Sequence, residues 1–350
     1  MILHFLDTRL IGGIETHVET LVRAQNAAGH SAAVVLWRCH DHGQTLERFK
    51  RSGLHVINAG GSLRTLHRIL IRLKPSILHT HGYKGGIIGR LLARASGVAV
   101  VSTFHAGERG QFPVNIYQIV DEWTSFLGAR IAVSQEIADA MPFVTKFVPN
   151  FVEVPNQKKY KQDNQVISFV GRISHEKGPD IFGAIAKAGG DKSNFVMFGD
   201  GPLMGALKLK FGDFVRFNGF ARDMEEVWKR TELLVMPSRN EGLPMAALEA
   251  MARGVPVAAA KVGALPDIIQ SGTNGLLFDA DNIEAAIAAV ANWQSMSPRR
   301  KAAMSAAARQ TIQEKYSSAT GLPKIMQAYR QAGWRAPASI ISMVQSSSGR

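Results

Sequence analysis

Apolar residues along the chain fall into short runs separated by stretches with helical periodicity. Ile2 to Leu6 forms the first apolar run. A turn with Gly12 and Gly13 follows, and Ile14, Val18, Leu21 and Val22 then recur at helical spacing, which predicts a helix over 14–27. Gly29 ends it, and 32–37 reads as the next strand. Leu66, Ile69, Leu70 and Leu73 give a helix that Pro75 stops, and strands follow over 76–80 and 98–104. A helix over 117–127, a strand over 130–134 and a strand end over 147–151 complete the first half. The plan restarts at 166–171, with a helix over 181–188 and apolar strands over 195–198, 215–220, 233–236 and 255–260, then the NGLLF run. Helices over 282–293, 298–316 and 322–334 close it. Strands alternating with helices across short turns predict parallel α/β domains.

The second half is organised around Pro237 to Gly254. There an apolar strand stops at a proline and a polar loop leads into a helix. Pro244 suits the first helical position and Gly254 the position just past the end. Met245, Ala246, Ala247, Leu248, Ala250 and Met251 make that helix apolar on nearly every side, so it is expected to be buried. Glu249 stands in its middle and Glu241 on the loop before it. A buried carboxylate requires a partner, and a polyhydroxylated anionic ligand offers one: hydroxyls for the carboxylates, phosphate for the helix end. The plainer alternative is a Glu249 bonded to its neighbours and a solvated Glu241.

The length of 350 residues suits two domains. The polar stretch 153–165 reads as the linker between a domain over 1–152 and one over 166–321, and the Ser-rich 336–350 as a disordered tail. No run is long enough for a membrane span, and the first residues lack the basic head of a signal peptide. The single cysteine, Cys39, excludes an internal disulfide and fits a reducing compartment. A formal charge of +13 favours polyanionic partners. No zinc-ligand spacing or nucleic-acid-binding signature directs that charge to nucleic acid. Arg64, Arg68 and Arg72 share one helical face, either a solvated surface or a site for docking on an anionic membrane.

Several strand ends carry candidate chemistry. The Gly12-Gly13 turn lets a ligand approach a helix N-terminus, or is simply tight. Gly171 and Arg172, with Lys177 and Gly178, form a loop whose guanidinium and ammonium suit a diphosphate. Gly199, Asp200 and Gly201 make a backbone-exposed turn fit for a nucleoside, and Phe220 ends a strand beside it. His79, His81 and His105 gather at strand ends, where open α/β sheets bind ligands. Without a cysteine or carboxylate at ligand spacing they are not read as a metal site. Asp279 and Asp281 spell a D-x-D, and Asp281 is read as the N-cap of the following helix rather than a metal ligand.

GGIE near the start, GRISHEKG after the linker and the pair Glu241/Glu249 occur in that order. Their conjunction resembles the retaining glycosyltransferases of family four, over about residues 1 to 335. The resemblance implies the α/β GT-B fold of two facing Rossmann-like domains with a cleft between them. A C-terminal helix, here 322–335, would return to the first domain. It also implies transfer of a sugar from a UDP- or GDP-sugar to a hydroxyl of a glycan or lipid-linked glycan, in cell-surface polysaccharide synthesis. Glu241 and His105 would face the transferred sugar, Arg172 and Lys177 the diphosphate, and Glu249 the ribose. Gly12, Gly13, Gly171, Gly199, Asp200, Gly201, Phe220, Gly242, Leu243, Pro244 and Met245 would line the donor. His81, Glu108 and Arg109 would lie on the acceptor side. No metal or other cofactor is expected, and the setting would be cytoplasmic, on the inner face of the membrane. A non-catalytic sugar-nucleotide-binding subunit is the alternative. A dehydrogenase would need a three-glycine fingerprint that the first turn lacks.

Overall fold

The computed structural model describes residues 1–8, 12–41, 43–105, 114–156, 165–190 and 194–335. The chain divides into two compact units. Met1–Pro149 with the segment from Ser318 onward forms the first, and Asn150–Ser317 the second.

The first unit holds β1 (Ile2–Thr8), β2 (Ala32–Cys39), β3 (Val56–Asn58), β4 (Ile77–His81), β5 (Val100–Phe104), β6 (Ala129–Ala132) and β7 (Lys146–Phe147). They pair in parallel in the order β3-β2-β1-β4-β5-β6-β7. The second unit holds β8 (Val166–Val170), β9 (Phe195–Phe198), β10 (Arg216–Gly219), β11 (Thr231–Met236), β12 (Val257–Ala260) and β13 (Gly275–Phe278). Their order is β10-β9-β8-β11-β12-β13, again parallel. In both units the first strand lies inside the sheet, so the order reverses beside it. That is where such sheets present their strand ends to ligands.

Alternation along the strands of the first unit sorts two kinds of residue. Leu3, Phe5 and Leu78 pack on one face with Leu66, Leu70 and Ala93. His4, His79 and His81 point to the other. The register sets His4 opposite His79 and Leu6 opposite His81 across β1 and β4. The helices Gly13–Ala27 and Ser318–Gln331 cover this second face, and the latter buries Tyr329 completely.

Several boundaries differ from the sequence reading. The last helix begins at Ser318 and contains Pro323, which the sequence pattern had placed at a helix start. Of the FVPNF segment only Phe147 lies in a strand, Lys146–Phe147. Helices Gln44–Arg51, Met204–Phe211 and Met224–Arg230 and strand β3 carried too little apolar periodicity to be read; Gln44–Arg51 buries only Thr45 and Phe49. Pro244 caps the helix Met245–Ala252 from outside rather than opening it, while Gly254 takes the expected left-handed turn at φ 76°.

Candidate active site

In the second unit the loop after β8 runs through a tight turn, His175–Lys177, to Gly178 and the helix Pro179–Gly189. Gly178 has φ 65°, and a Cβ there would lie 2.0 Å from the carbonyl oxygen of Pro237. Only glycine lets this loop close on the end of β11. The two loops are then stitched together. Arg239 N donates to the Glu176 carbonyl at 2.8 Å, and its guanidinium donates to the His175 carbonyl at 2.8 Å.

That closure brings Lys177 to Glu241. Lys177 Nζ lies 2.7 Å from Glu241 Oε2, and Ser238 Oγ donates to Glu241 Oε1 at 2.8 Å. Glu241 is buried and both its oxygens are engaged, while Lys177 keeps part of its surface in solvent. Gly263 fixes the loop from behind, since a Cβ at its φ of 51° would sit 2.0 Å from the Glu241 carbonyl oxygen. Ala264 N donates to the Gly242 carbonyl at 2.9 Å, and Asn150 Nδ2 to that of Leu243 at 2.8 Å. Leu243 and Met245 bury their side chains, so they can offer a ligand only backbone.

Glu249 projects from the helix Met245–Ala252 and is half-buried. Its Oε2 accepts from Trp228 Nε1 at 3.2 Å. Arg172 is exposed on the loop after β8. The turn Gly199 to Gly201 lies against that same loop. Ile173 N donates to the Asp200 carbonyl at 2.9 Å, and a Cβ on Gly199, at φ 135°, would come within 1.8 Å of the Gly171 carbonyl oxygen. Phe220 is exposed just beyond Gly219. The second unit therefore brings Gly171, Arg172, Lys177, Gly199, Asp200, Gly201, Glu241 and Gly242 to adjoining strand ends.

The D-x-D carboxylates are held by ion pairs, Asp279 to Lys261 at 2.8 Å and Asp281 to Arg239 Nε at 2.7 Å. The N-cap expected at Asp281 belongs instead to Asn282, whose Oδ1 accepts from Ala285 N at 2.9 Å. Asp281 has φ 55°, which turns it back toward Arg239. Arg239 also grips Asp180 through two bonds of 2.9 and 2.8 Å. Burial pushes the Asp180 carboxyl up, but the Arg239 hydrogen bonds and charge outweigh it and hold it below the ordinary value.

In the first unit His81 and His105 stand together, with His81 Nδ1 3.2 Å from His105 Nε2. His4 and His17, which the sequence reading passed over, join them. His4 Nδ1 is 3.1 Å from His81 Nε2, and the His17 ring lies 4.8 Å from that of His105. The β1–β4 register is the signal that would have found His4; it is not visible in a single strand. His4, His79 and His81 bring their ring nitrogens within 4.8 Å of one another, as do His17, His81 and His105. His79, however, uses both nitrogens in hydrogen bonds, to Tyr329 Oη at 2.7 Å and Thr103 Oγ1 at 2.6 Å. Burial drives the His4 pKa down to about 4 and that of His105 to about 3. His79 and His81 fall well below the ordinary value through burial and then their neighbouring rings. These four imidazoles are neutral near pH 7.

Gly12 donates its N–H to Glu15 Oε2 at 2.7 Å, and the helix starts at Gly13. Arg64, Arg68 and Arg72 are all exposed on the helix Leu63–Leu73, opposite buried Leu66 and Leu70. Glu108 and Arg109 lie outside the described residues. No helix among the described residues is long and apolar enough to cross a membrane.

Residues 164–295 match the family model Glycosyl transferases group 1, and residues 11–181 match Glycosyltransferase Family 4. The chain is 27% identical over 266 residues to an Escherichia coli UDP-Gal:alpha-D-GlcNAc-diphosphoundecaprenol alpha-1,3-galactosyltransferase, covering 65% of this chain and 69% of that protein. It is 30% identical over 176 residues to the lipopolysaccharide core biosynthesis mannosyltransferase LpsB of Rhizobium meliloti, 45% of this chain and half of that one. Among solved structures, Anabaena Alr3699/HepE in complex with UDP-glucose superposes with a TM-score of 0.80 at 17% identity, over 95% of this chain and 100% of that one. With two parallel α/β units of the GT-B plan and family models that meet across both, the chain belongs to the family-four glycosyltransferases.

Proposed function

We propose that the protein moves a hexose from a nucleoside-diphosphate sugar to a hydroxyl of a glycan or lipid-linked glycan, with retention at the anomeric carbon and without a metal ion. The observation that carries this reading is Glu241, held at one oxygen by Lys177 and at the other by Ser238. A carboxylate fixed in this way can hydrogen-bond the sugar, while the ammonium beside it meets the diphosphate. Departure of the nucleotide builds negative charge on phosphate oxygens. Lys177 and Arg172 supply preorganised positive charge for it, as transition-state stabilisation requires. Glu241 is already committed to two partners, which favours a binding role over covalent attack and fits front-face substitution. In that route the acceptor hydroxyl gives its proton to the leaving phosphate. Glu249, on the next helix, suits the ribose hydroxyls. A UDP-glucose-bound structural neighbour and a relative named for UDP-galactose and a diphosphoundecaprenol acceptor support a UDP-sugar donor and a lipid-linked acceptor.

Incubating the protein with UDP- and GDP-hexoses and an isoprenyl-diphosphate sugar, in excess chelator, tests this. Transfer with the donor's anomeric configuration kept is the expected result. Donor binding without transfer would replace the reading with a non-catalytic sugar-nucleotide-binding subunit. Loss in chelator that magnesium or manganese restores would overturn metal independence. The exposed Arg64, Arg68 and Arg72 favour peripheral attachment to an anionic membrane from the cytoplasmic side. Each such charge contributes about 1 kcal/mol near the surface. Co-sedimentation with anionic vesicles should be lost when all three are replaced by Glu, and retention would reject the assignment.

A further inference from the structure

Four histidines of the first unit, His4, His79, His81 and His105, form one hydrogen-bonded circuit with Gln25, Tyr329 and Thr103. Gln25 Oε1 lies 2.8 Å from His4 Nε2, and Gln25 Nε2 lies 3.1 Å from Tyr329 Oη. His4 Nδ1 meets His81 Nε2, and His81 Nδ1 meets His105 Nε2. On the other branch, Tyr329 Oη meets His79 Nδ1, and His79 Nε2 meets Thr103 Oγ1. Gln25, His4, His79 and Tyr329 are completely buried and His81 nearly so.

A neutral imidazole has one donor and one acceptor nitrogen. Each bond in such a chain therefore dictates the next. Gln25 Oε1 can only accept, so His4 carries its proton on Nε2 and accepts at Nδ1. His81 must then donate from Nε2 and accept at Nδ1, and His105 must donate from Nε2. The Gln25 amide N–H donates to Tyr329 Oη, whose own proton goes to His79 Nδ1, and His79 donates from Nε2 to Thr103. Turning the Gln25 amide over would reverse every bond and put the proton of each ring on Nδ1. The circuit thus has two self-consistent proton orders. With Gln25 Oε1 toward His4, the order that follows puts every proton on Nε2, the tautomer that neutral histidine prefers by itself.

We infer that Gln25 and Tyr329 are positioning residues that fix the tautomer of His105, holding its Nδ1 as a hydrogen-bond acceptor for a hydroxyl of a sugar substrate. The link to the sugar rests on the transferase reading above; the proton order does not. An imidazolium, or the opposite tautomer, would present an N–H at Nδ1 instead. The arrangement spans the chain, because Tyr329 comes from the last helix, 304 residues after Gln25. It gives that helix a role in the site beyond packing.

Long-range proton–nitrogen NMR correlations on the full chain with 15N-labelled histidine rings read this directly. His4, His79, His81 and His105 are expected neutral, each protonated at Nε2. In Gln25→Leu the acceptor that sets the order is gone, and part of the His105 population should shift its proton to Nδ1. The exposed His67, bonded to Ser96, should not change. Should Gln25→Leu fail to fold, Tyr329→Phe frees the amide to turn and should move His105 in the same direction. In whichever variant folds with the proton moved, kcat/KM should fall roughly 2- to 10-fold, the range for one neutral hydrogen bond. His105 protonated at Nδ1 in the unaltered protein, or unmoved in a folded variant, overturns the inference. An unchanged kcat/KM with the proton moved overturns its link to the sugar. The predicted spectrum in a protein that transfers no sugar would sink the transferase reading and leave the proton order standing.

Discussion

The two units share one parallel plan, place clustered polar groups on its strands and the loops that follow them, and stabilise them in opposite ways. In the first unit His4, His79 and His81 are enclosed and His105 is half-buried beside them, and burial keeps all four uncharged. Their bonds are directional, and satisfying one ring fixes the next. In the second, Lys177, Glu241, Arg239, Asp180 and Asp281 pair as ions, with Lys177, Asp180 and Asp281 partly in solvent. Those pairs tolerate motion and can be re-formed around a charged ligand. A neutral circuit suits the recognition of hydroxyls. A partly solvated ion-pair cluster suits a diphosphate, whose charge changes during reaction.

Acid should separate the two most strongly. A histidine whose folded pKa lies below its unfolded value of 6.5 binds fewer protons folded than unfolded. Its contribution is therefore fully present above pH 6.5 and is lost as pH falls toward the folded values of about 4 and 3. One unit below the unfolded pKa, each ring that stays neutral costs about 1.4 kcal/mol. Asp121 works the other way. Burial, opposed by Arg90, raises its pKa to about 6, so it gains stability as pH falls from 6 toward 3.8. One carboxyl offsets only part of four imidazoles. Hydrogen exchange, corrected for intrinsic rates, should show β1, β4 and β5 losing protection between pH 7 and 5 while β8 and β11 keep theirs. If the second unit opened first, the contrast between the units would be wrong.

Removing the charge of Glu241 tests the other side. Glu241→Gln keeps the shape and the hydrogen bond from Ser238 but leaves Lys177 without its anion. If Glu241 contacts the sugar as its bond to phosphate breaks, kcat should fall by an amount worth roughly 2–4 kcal/mol. If Glu249 holds the ribose, Glu249→Gln should instead raise the donor KM and weaken nucleoside-diphosphate binding, because ribose does not react. Near-normal turnover in Glu241→Gln, with melting unchanged, would break the assignment.

The repeated strand–helix plan and the loops at 171–178 and 237–254 were legible because each unit writes its own period, proline stop and glycine turn locally. Glu249 in an apolar helix correctly demanded a partner, but Trp228, 21 residues earlier, could not be read as that partner. The same limit hid the histidine circuit. His4 looks like one polar residue in a strand until β1 pairs with β4, and Tyr329 looks like part of an amphipathic helix until that helix packs on the sheet. Asp281 shows the limit at short range. Both Asp281 and Asn282 could cap the helix, and the choice falls to Asn282 because Arg239, from a distant loop, takes Asp281.

That exposed pair gives the smallest and sharpest test. Asp281 is 61% exposed and Arg239 already donates two bonds to Asp180. Exposed pairs contribute about 0.2–1 kcal/mol and are screened by salt. Asn accepts the left-handed backbone at least as readily as Asp, so Asp281→Asn removes the charge without adding strain at φ 55°. Its melting midpoint should fall slightly at low salt and match the unaltered protein at about 1 M salt, where screening reaches about 3 Å. Asp180→Asn breaks a bidentate, less exposed pair and should cost more, with part of the loss surviving salt. The comparison matters because the neutral circuit of the first unit has no charge to screen. Tyr329→Phe should lose the same stability at both salt concentrations. If Asp281→Asn were equally indifferent to salt, the second unit's cluster would not be acting as a partly solvated set of ions, and its suitability for a diphosphate would need another basis.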